Sequence, residues 1–488
     1  MGGMSVAALL ARQGLNVRVL EGDHLPGGSS STYYRKGYWF ETGATTLIGF
    51  DEGQPLHRLE QMLETRLPRQ EISPSMQIIL DGKPLIRYKD RTKWVNEASR
   101  FFGNPEGQRK FWETAFEVSE LVWKSSAKNT YFPPRSLWEW SQLALNNNPL
   151  DVPMLRYGLM SVTDVMEKFG VNTPSFKKFA DEQLMITAQA PSDHTPFLFG
   201  AAGLTYPNYS NFYVPGGLLQ MVRSIQHKLE GDGGELLCKK KVTSIEKEPT
   251  DYVVRTKDGE VYTAPTLISN IPVWNMADLV DDSMQAWFQS YARRYKHAWG
   301  AFTMGVAVED TFPDDFILHH QLHADQIIPN TVSESLFVSL SARGDTKRAP
   351  EGQRVLNIST HVDPEWWFSL GDEYDERKKQ TEIFILDFLN DKLTGFDREK
   401  VIVAFSGTPV TWQNWIFRKN GRVGGIPQSM KRSLLDWTPA QTPFQNMYLV
   451  GDTVFPGQGI PGVTLSGINA YFRVMKYSFS KQVQAEPA

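Results

Sequence analysis

Hydrophobic and polar positions near the C-terminus predict a buried strand, a glycine-rich loop and a helix. Residues 447–450 form an apolar run of strand length that stops at Gly451 and Asp452. Three more glycines and two prolines follow within ten residues, and apolar positions with helical spacing resume after Val463. Glycine lets a backbone approach a ligand closely, and the first turn of a helix presents free N–H groups to anions. The pattern therefore predicts either a ligand-binding loop that carries the Asp452 carboxylate or an ordinary tight turn.

The N-terminal segment predicts the second half of a dinucleotide-binding strand–helix–strand unit. Apolar spacing predicts a helix that ends near Gly14, and residues 17–21 form a short strand that ends at Glu21. Gly3 occupies the place of the last fingerprint glycine, and Glu21 lies 18 residues further on, where an acid can accept hydrogen bonds from a ribose. The first strand and the phosphate-turn glycines would lie upstream of Met1. Either the start is assigned too far downstream or the chain is a fragment, and a chain that begins inside a phosphate loop is expected to bind its nucleotide poorly.

A second glycine loop follows the strand that ends at Glu21. Gly27 and Gly28, followed by Ser29, could present backbone and hydroxyl donors to a pyrophosphate or a flavin, or form only a flexible loop. Residues 38–41 then predict a strand that leads into a turn of small residues, 42–46.

The middle of the chain predicts a mixture of helices and strands. Residues 81–205 have mostly helical patterns, with Ser161 as an N-cap and Asp164 three residues later. The sequence also predicts an amphipathic helix after Gly217, a β-ribbon over 236–263 whose sheet a strand at 266–270 closes, a charged helix from Asp375, and strands at 302–308, 336–340, 355–360 and 401–406.

Composition and charge exclude several classes of protein. The only cysteine among the 488 residues, Cys238, excludes internal disulfides and fits a reducing compartment. The net charge of −4 does not suggest a nucleic-acid partner. No run approaches the roughly 18 apolar residues that a spanning helix needs, and no signal peptide is recognisable. These features predict a cytoplasmic protein.

Two segments together identify a known family. The sequences VRVLEGDHLPGGSSSTYYRKGYWFETGATTLIG, residues 17–49, and YLVGDTVFPGQGIPGVTLSGINA, residues 448–470, resemble the phytoene desaturase and carotenoid isomerase family of flavoproteins, which is related to the amine oxidases. The resemblance covers most of the chain. It implies an α/β fold in which a Rossmann-like FAD-binding domain is interleaved with a mixed α+β substrate domain. It places residues 1–80, 205–290 and 431–488 in the FAD-binding domain and residues 81–204 and 291–430 in the substrate-binding domain.

The resemblance also implies which residues contact FAD, although no catalytic acid or base follows from it. The expected contacts are Gly3 and Glu21 at the ADP half, Gly27, Gly28 and Ser29 near the pyrophosphate and ring, Gly43, Ala44 and Thr45 along the isoalloxazine, the Val242 backbone at the adenine, Gly451 and Asp452 at the ribityl chain or pyrophosphate, and the backbone of Gly459, Ile460, Pro461, Gly462 and Val463 at the pyrimidine edge. Trp412, Trp415, Gly424 and Gly425 either line a substrate tunnel or belong to a core strand and loop.

The implied function is that of an FAD-dependent oxidoreductase acting on a long apolar polyene. Desaturation and cis–trans isomerisation of a carotenoid need the same cofactor cradle and tunnel, so the motifs do not separate them. Three alternatives stay open: a reductase like the retinol saturases, an amine-oxidase-like enzyme with a polar substrate, and a non-catalytic polyene-binding relative. An aromatic sandwich flanked by polar anchors would favour the amine-oxidase-like enzyme, and a long apolar tunnel would count against it.

A histidine cluster at 319–323 and an apolar segment at 132–159 each allow a structural and a functional interpretation. His319, His320 and His323 have a spacing that could hold a metal, but no flanking acids accompany them, so we expect an exposed polar loop and no metal. Residues 132–159 are rich in tryptophan and leucine and either contact a membrane peripherally or cover the substrate domain. The membrane interpretation depends on the resemblance, because carotenoids dissolve in bilayers.

Overall fold

The computed structural model describes residues 1–43 and 45–485, without the side chains of residues 150, 152 and 477–485. Its strands are β1 Arg18–Leu20, β2 Thr32–Arg35, β3 Tyr38–Glu41, β4 Gln70–Ile72, β5 Met76–Leu80, β6 Lys83–Arg87, β7 Asn211–Tyr213, β8 Glu235–Leu237, β9 Val242–Lys247, β10 Tyr252–Thr256, β11 Val261–Ala264, β12 Leu267–Ser269, β13 Gly300–Glu309, β14 His319–His323, β15 Ser335–Leu340, β16 Gln353–Val362, β17 Val401–Gly407 and β18 Met447–Leu449.

The α-helices alternate with these strands along much of the chain. They are α1 Gly2–Arg12, α2 Pro55–Leu63, α3 Arg91–Phe102, α4 Pro105–Lys128, α5 Leu137–Asn146, α6 Val162–Lys168, α7 Pro174–Thr187, α8 Phe197–Thr205, α9 Leu219–Gly231, α10 Val273–Leu279, α11 Asp282–Arg294, α12 Pro364–Ser369, α13 Tyr374–Lys392, α14 Pro409–Ile416 and α15 Ile460–Ala485. Short 3-10 helices occupy Gly28–Ser30, Pro149–Gly158, Tyr206–Asn208, Gly371–Glu373, Arg398–Lys400 and Lys419–Gly421.

Two pairs of short parallel strands lie beside the N-terminal helix. Strand β1 pairs with β8, and β12 pairs with β18. Helix α1 is rich in glycine and alanine, so its backbone can approach its neighbours closely: a Cβ atom on Gly467 of α15 would lie 2.5 Å from Gly2 O. The predicted strand at 266–270 is therefore present, but it pairs with β18, whereas the ribbon strands β9, β10 and β11 form a separate antiparallel sheet.

A seven-stranded sheet with the order β17-β13-β16-β15-β14-β5-β6 forms the other large layer. The strands predicted at 302–308, 336–340, 355–360 and 401–406 are confirmed as β13, β15, β16 and β17. Strands β5 and β6, which are adjacent in sequence, extend the same sheet. The predicted domain boundary after residue 80 falls between these two strands, and the division into domains stays a prediction.

The two faces of this sheet differ in chemistry because side chains alternate along each strand. One face carries Met304, Val338 and Ile358, which belong to a core cluster with Trp367 of α12 and Leu389 of α13. The opposite face is polar, because the register places Thr303 opposite Ser359 and Ser339 opposite Asn357. A polar sheet face needs polar or solvated neighbours, so this face is the one from which a functional cavity is expected.

The histidines at 319–323 do not form an exposed loop, so that prediction is wrong. They lie in β14, which pairs with β5 on one side and β15 on the other, and every residue of the strand is buried. Burial lowers the pKa of His319 and of His320 to about 4 and that of His323 to about 3. Within the described part of the chain, no group of His, Cys, Asp and Glu side chains is placed to hold a metal ion.

The predominantly helical region between β6 and β7 has an aromatic core. Trp94, Trp112 and Phe179 pack around the buried Arg87 guanidinium, whose carbon lies 4.0 Å from the centre of the Trp94 ring. Burial lowers the pKa of Arg87 to about 9. The predicted cap is confirmed, because Ser161 and the acid three residues later form a reciprocal capping box at the start of α6. None of the helices described above is long and apolar enough to cross a membrane.

Candidate cofactor and substrate site

A cleft opens where the strand β1 ends. Its walls come from the loop after β1, from β2 and from the end of α14. The lining residues are Glu21, Asp23, His24, Leu25, Gly28, Ser31, Thr32, Tyr33, Thr42, Ile416 and Phe417.

Glu21 occupies the predicted position at the carboxyl end of β1. Its N–H donates to Leu237 O at 2.8 Å, and its carboxylate accepts from Asp23 N at 3.0 Å. Burial is the main cause that raises the pKa of Glu21. Lys240 N donates to Glu21 O at 2.7 Å, and this bond brings the segment that enters β9 at Val242 beside the cleft. Glu21, predicted at the ADP half, therefore lies beside the segment that leads to Val242, which is predicted at the adenine.

The start of α1 meets the loops that follow β12 and β18. Gly3 N donates to Asn270 Oδ1 at 3.0 Å. A Cβ atom on Gly2 would lie 2.9 Å from both Asn270 Oδ1 and Val463 O, so only glycine permits this approach. Gly451 N donates to Ser466 Oγ of α15 at 2.9 Å. The predicted glycine positions at the two ends of the chain are thus brought together by the fold.

Asp452 lies next to this meeting point, and its carboxylate is paired. Arg418 Nη2 donates to Asp452 Oδ2 at 2.7 Å. Gly425 has a positive φ of 74°, and a Cβ atom there would lie 2.2 Å from Asp452 O. The loop after β18 is therefore held by the segment 418–425.

The second glycine loop lies against the turn of small residues that follows β3. Gly27 and Gly28 adopt positive φ angles of 112° and 56°. A Cβ atom on Gly43 would lie 2.7 Å from Ser29 O, which explains the glycine at this position. Thr45 Oγ1 is buried and has no hydrogen-bond partner among the described residues. Ala44, also predicted to contact the flavin ring, lies outside the described residues.

Residues 459–463, which are predicted to approach the pyrimidine edge of the flavin, lead into α15 and form its first turn. Gly459 is exposed with a φ of 84°, and Ile460 is buried at the first position of the helix. A Cβ atom on Gly462 would lie 2.8 Å from Gly457 O, so the loop folds tightly back on the helix start. Pro461 contacts Gly49, where a Cβ atom would lie 2.9 Å from Pro461 Cγ.

A second cavity shares Tyr33 and Thr42 with the cleft and lies on the polar face of the large sheet. It is lined by Tyr33, Glu41, Thr42, Gly43, Thr303, Met304, Gly305, Phe337, Ser339, Asn357, Ile358 and Ser359. Asn357 Oδ1 accepts from Glu41 N at 3.2 Å, and Asn357 Nδ2 is buried without a partner among the described residues. The cavity therefore offers a hydrogen-bond donor beside Gly43.

A buried ion pair holds the wall of this second cavity. Arg348 Nη1 donates to Glu41 Oε1 at 2.8 Å, and Arg348 Nε donates to Trp39 O at 2.8 Å. Glu41 also accepts from Thr32 Oγ1 at 2.9 Å and from Leu218 N at 3.1 Å. Both charges are hydrogen-bonded on several sides, as buried charges need to be.

The predicted tunnel residues are spread over a helix and a loop. Residues 409–416 form the helix α14, so the alternative of a core strand at this segment is wrong. Trp412 is buried on α14, whereas Trp415 is 68% exposed. Gly424 lies against Gln189 and Gln458, and Gly425 lies against Asp452. A tunnel through these four residues stays a prediction.

These residues fit a dinucleotide cofactor. The cleft ends at an acidic side chain, Glu21, where a ribose needs an acceptor, and glycines allow close approach of the backbone at its other end. Ser31 lines the cleft, and its Oγ is buried without a partner among the described residues, so a ligand oxygen or hydroxyl could satisfy it.

Comparison with known proteins gives the family. A family model described as flavin containing amine oxidoreductase matches residues 1–470. The chain belongs to this family. It is therefore a flavoprotein enzyme, as the resemblance of the two terminal segments implied.

Relatives and solved structures agree with this family. The prolycopene isomerase of carrot, Daucus carota, is 27% identical over 97% of this chain and 78% of its own length. The all-trans-retinol 13,14-reductase of zebrafish, Danio rerio, is 22% identical over 99% of this chain and 87% of its own length. A triple mutant of putrescine oxidase is 14% identical over 98% of this chain and 97% of its own, with a TM-score of 0.65. The first confirms the resemblance to carotenoid isomerases, and the third confirms the predicted α/β fold.

Several residues of the site were missed in the sequence. Asn270 follows β12, and the carboxyl ends of parallel strands are where ligands bind, so this position could have been found. Arg418 and Asn357 gave no signal. Their place in the site depends on how distant segments pack, which neither spacing nor composition encodes.

Proposed function

We propose that this flavoprotein binds FAD and acts on a long apolar polyene, as a carotenoid isomerase or desaturase. The observation that carries the proposal is the alignment with prolycopene isomerases over 97% of the chain. A 4,4'-diapolycopene oxygenase from Methylomonas is also related, at 20% identity over 96% of the chain. The names of these relatives all refer to polyene substrates, although they describe different reactions.

The cleft supports FAD as the specific flavin, because a dinucleotide needs a ribose acceptor and a phosphate cradle in addition to a ring site. Glu21 would accept from the ribose, and the Val242 backbone would meet the adenine. The Gly3 and Gly451 regions would surround the pyrophosphate, and Gly43, Thr45 and the start of α15 would line the ring. When bound, the flavin supplies the redox chemistry.

The protein's own part in the reaction is to orient the substrate and exclude water. The second cavity adjoins Gly43 and is lined on the same face of the sheet by the apolar side chain of Phe337. Asn357 Nδ2 is available there to hold a polar atom. A polyene bound in this cavity would lie over the sheet, with β3 and the turn at 42–43 between it and the cleft.

The test is product analysis after cofactor loading. Purified protein with FAD, in its oxidised and chemically reduced forms, is incubated anaerobically with poly-cis-lycopene, phytoene and retinol, and products are separated by chromatography. We expect isomerised lycopene without net oxidation from the reduced form, or desaturated phytoene from the oxidised form. If FAD binds and none of the three compounds changes, the polyene proposal is overturned.

A second candidate function, amine-oxidase-like turnover of a polar substrate, is favoured by one observation. The second cavity combines two aromatic rings, Tyr33 and Phe337, with polar anchors at Thr303, Ser339 and Asn357. The discriminating measurement is reduction of bound FAD by amines under anaerobic conditions. Bleaching of the flavin spectrum by an amine, with none by polyenes in detergent, would select this alternative.

We further propose that the face formed by α5 and residues 149–159 contacts a lipid surface. Helix α5 is oriented with its acid inward: Glu139 is buried and accepts from Arg473 at 2.9 Å. This orientation leaves apolar side chains in solvent, with exposed fractions of 90% for Leu137, 46% for Trp140, 78% for Leu145 and 79% for Leu159. Patches of this kind mark interaction sites.

The exposed face is also connected to the site. The Phe132 ring lies 4.5 Å from the ring of Phe455, which precedes the glycine loop at 457–462. Lys476 lies over the ring of Trp138, at the position where a cation can meet anionic headgroups. An apolar substrate dissolved in a bilayer would therefore reach the enzyme near its cofactor.

Vesicle sedimentation tests this contact. We expect the protein to sediment with phosphatidylglycerol vesicles and the double variant Leu145→Glu, Leu159→Glu to remain in the supernatant. Val261→Glu, at a position that is 51% exposed on β11, is the control and should sediment like the unchanged protein. Equal sedimentation of all three proteins would overturn the proposed contact.

A further inference from the structure

The carboxylate of Asp452 is held by a cation from a distant part of the chain. Arg418 Nη2 lies 2.7 Å from Asp452 Oδ2, and the two side chains are only 12% and 18% exposed. Arg418 Nε also donates to Arg422 O. The guanidinium is therefore fixed from two sides and cannot behave as a mobile surface charge.

The backbone on both sides of Arg418 is fixed as well. Phe417 O accepts from Asn275 Nδ2 at 2.7 Å, and Lys419 N donates to Asn275 Oδ1 at 3.0 Å. Ile416 and Phe417 line the cleft. Both amide atoms of one asparagine thus hold the cleft wall and, with it, the guanidinium that pairs with Asp452.

The negative charges around the cleft indicate what the pair of Arg418 and Asp452 does. Glu21 and Asp23 line the cleft, and Asp452 pairs with Arg418, the residue that follows Phe417 of the cleft wall. A dinucleotide adds the negative charges of a pyrophosphate to these carboxylates. Like charges at short range disfavour binding, whereas an arginine with a fixed hydrogen bond to one carboxylate offsets its charge and keeps it oriented.

We propose that Arg418 is a positioning residue for the cofactor. It orients the Asp452 carboxylate and neutralises it, so that the site accepts the anionic half of the flavin dinucleotide. The inference depends on the proposed FAD site, and it goes beyond that proposal because it assigns a role to a residue that does not line the cleft. Arg418 is predicted to act through Asp452 and not by contact with the cofactor.

A double-mutant cycle tests this inference. FAD dissociation constants are measured by flavin fluorescence for the unchanged protein, Arg418→Gln, Asp452→Asn and the double variant. We expect Arg418→Gln alone to weaken FAD binding by about 10-fold, since a coupled contact pair commonly contributes a factor of this order. In the Asp452→Asn background the same substitution should change the constant by less than about 2-fold, because no carboxylate then needs the cation.

A matched control separates this local effect from the general loss of a positive charge. Lys419→Gln removes the neighbouring cation, whose Nζ pairs with Asp278 and not with Asp452. We expect its FAD dissociation constant to equal that of the unchanged protein. Thermal melting of each apo-protein shows whether a change in binding merely follows a loss of folded protein.

The outcomes are distinguishable. Equal weakening by Arg418→Gln in both backgrounds, or an equal effect of Lys419→Gln, overturns the inference and leaves the proposed FAD site intact. Failure of the unchanged protein to bind FAD at all overturns the proposed function, and the positioning role falls with it.

Discussion

Glycine at position 425 is required by its surroundings as well as by its backbone. Its φ is 74°, and a Cβ atom would meet Asp452 O at 2.2 Å. Gly53 has a similar φ of 78° with no atom within 4 Å of its Cβ position. Substitution of Gly425 and of Gly53 therefore distinguishes the effect of backbone strain from the effect of displacing the loop that carries Asp452.

We expect Gly425→Ala to weaken FAD binding at least tenfold, because the new methyl group must push the Asp452 backbone away. The control Gly53→Ala carries only the strain of a left-handed conformation, about 1–2 kcal/mol, and should keep its FAD affinity. Fluorescence titration of both variants decides the matter. Equal FAD affinity in the two variants would show that the contact with Asp452 is unimportant.

A second prediction at the residue scale concerns the Glu41–Arg348 pair. Arg348→Met leaves Glu41 buried without its cation, which is expected to cost about 3–5 kcal/mol of unfolding free energy. Denaturant unfolding measures the cost, and adding Glu41→Gln should recover part of it. Arg109→Met, which removes an exposed pair with Glu113, should cost about 1 kcal/mol or less. If Arg348→Met and Arg109→Met lower the unfolding free energy by similar amounts, the Glu41–Arg348 pair is not buried as described.

At the scale of the elements, β14 shows why a polar pattern does not guarantee exposure. Its sequence, His-His-Gln-Leu-His, contains one apolar residue, yet strands on both sides cover it. Two of its polar side chains find partners elsewhere in the fold: His319 Nδ1 donates to Ser75 O at 3.2 Å, and Gln321 Nε2 donates to Ser335 Oγ at 3.0 Å. Both partners lie outside β14, so the sequence of the element alone could not reveal them.

The buried histidines predict a stability that falls with acidification. Burial lowers the pKa of His323 to about 3, whereas an unfolded histidine has a pKa of about 6.5. Between these values the unfolded state binds one more proton, so lowering the pH favours unfolding by about 1.4 kcal/mol per pH unit. His323→Asn should reduce the pH dependence of the unfolding free energy between about pH 4 and 6 by that amount.

The control for this prediction is His297→Asn, at an exposed position. It should leave the dependence on pH unchanged. Denaturant midpoints at several pH values measure both variants, and a His323→Asn protein with the slope of the unchanged protein would refute a buried neutral histidine.

At the scale of the whole molecule, the cleft connects segments from across the chain. Its walls include residues from 21–33 and 416–417; the β9 entry is hydrogen-bonded to Glu21, and Arg418 joins the wall to Asp452. A ligand that binds only this assembled form stabilises it by mass action. FAD at about 100 times its dissociation constant should therefore add about 2.7 kcal/mol to the unfolding free energy.

Thermal melting with and without FAD tests this prediction. We expect one transition that moves upward as a unit, because the contributing segments are spread over both the strand pairs and α14. Riboflavin, which lacks the adenine and pyrophosphate, should give a smaller shift at the same concentration. An equal shift from riboflavin would show that the cleft around Glu21 does not hold the adenosine half.

The local parts of this protein were predictable from short stretches of sequence. Strand, turn and helix at 447–463, the short strand that ends at Glu21, and the glycines that bracket the cleft follow from periodicity and from the conformational demands of glycine. These features depend on neighbours in sequence, and the resemblance at the two ends of the chain was enough to indicate a flavoprotein.

The distant residues that complete the site are set by packing between elements and were not predictable from the sequence. Arg418 reaches Asp452 because Asn275 fixes the backbone after α14, and Asn357 faces the second cavity because the register of β15 and β16 sets the polar side of the sheet. The burial of β14 likewise depends on pairing with β5, more than 200 residues away in sequence. Such contacts are made by packing between elements, and local propensity carries no information about them.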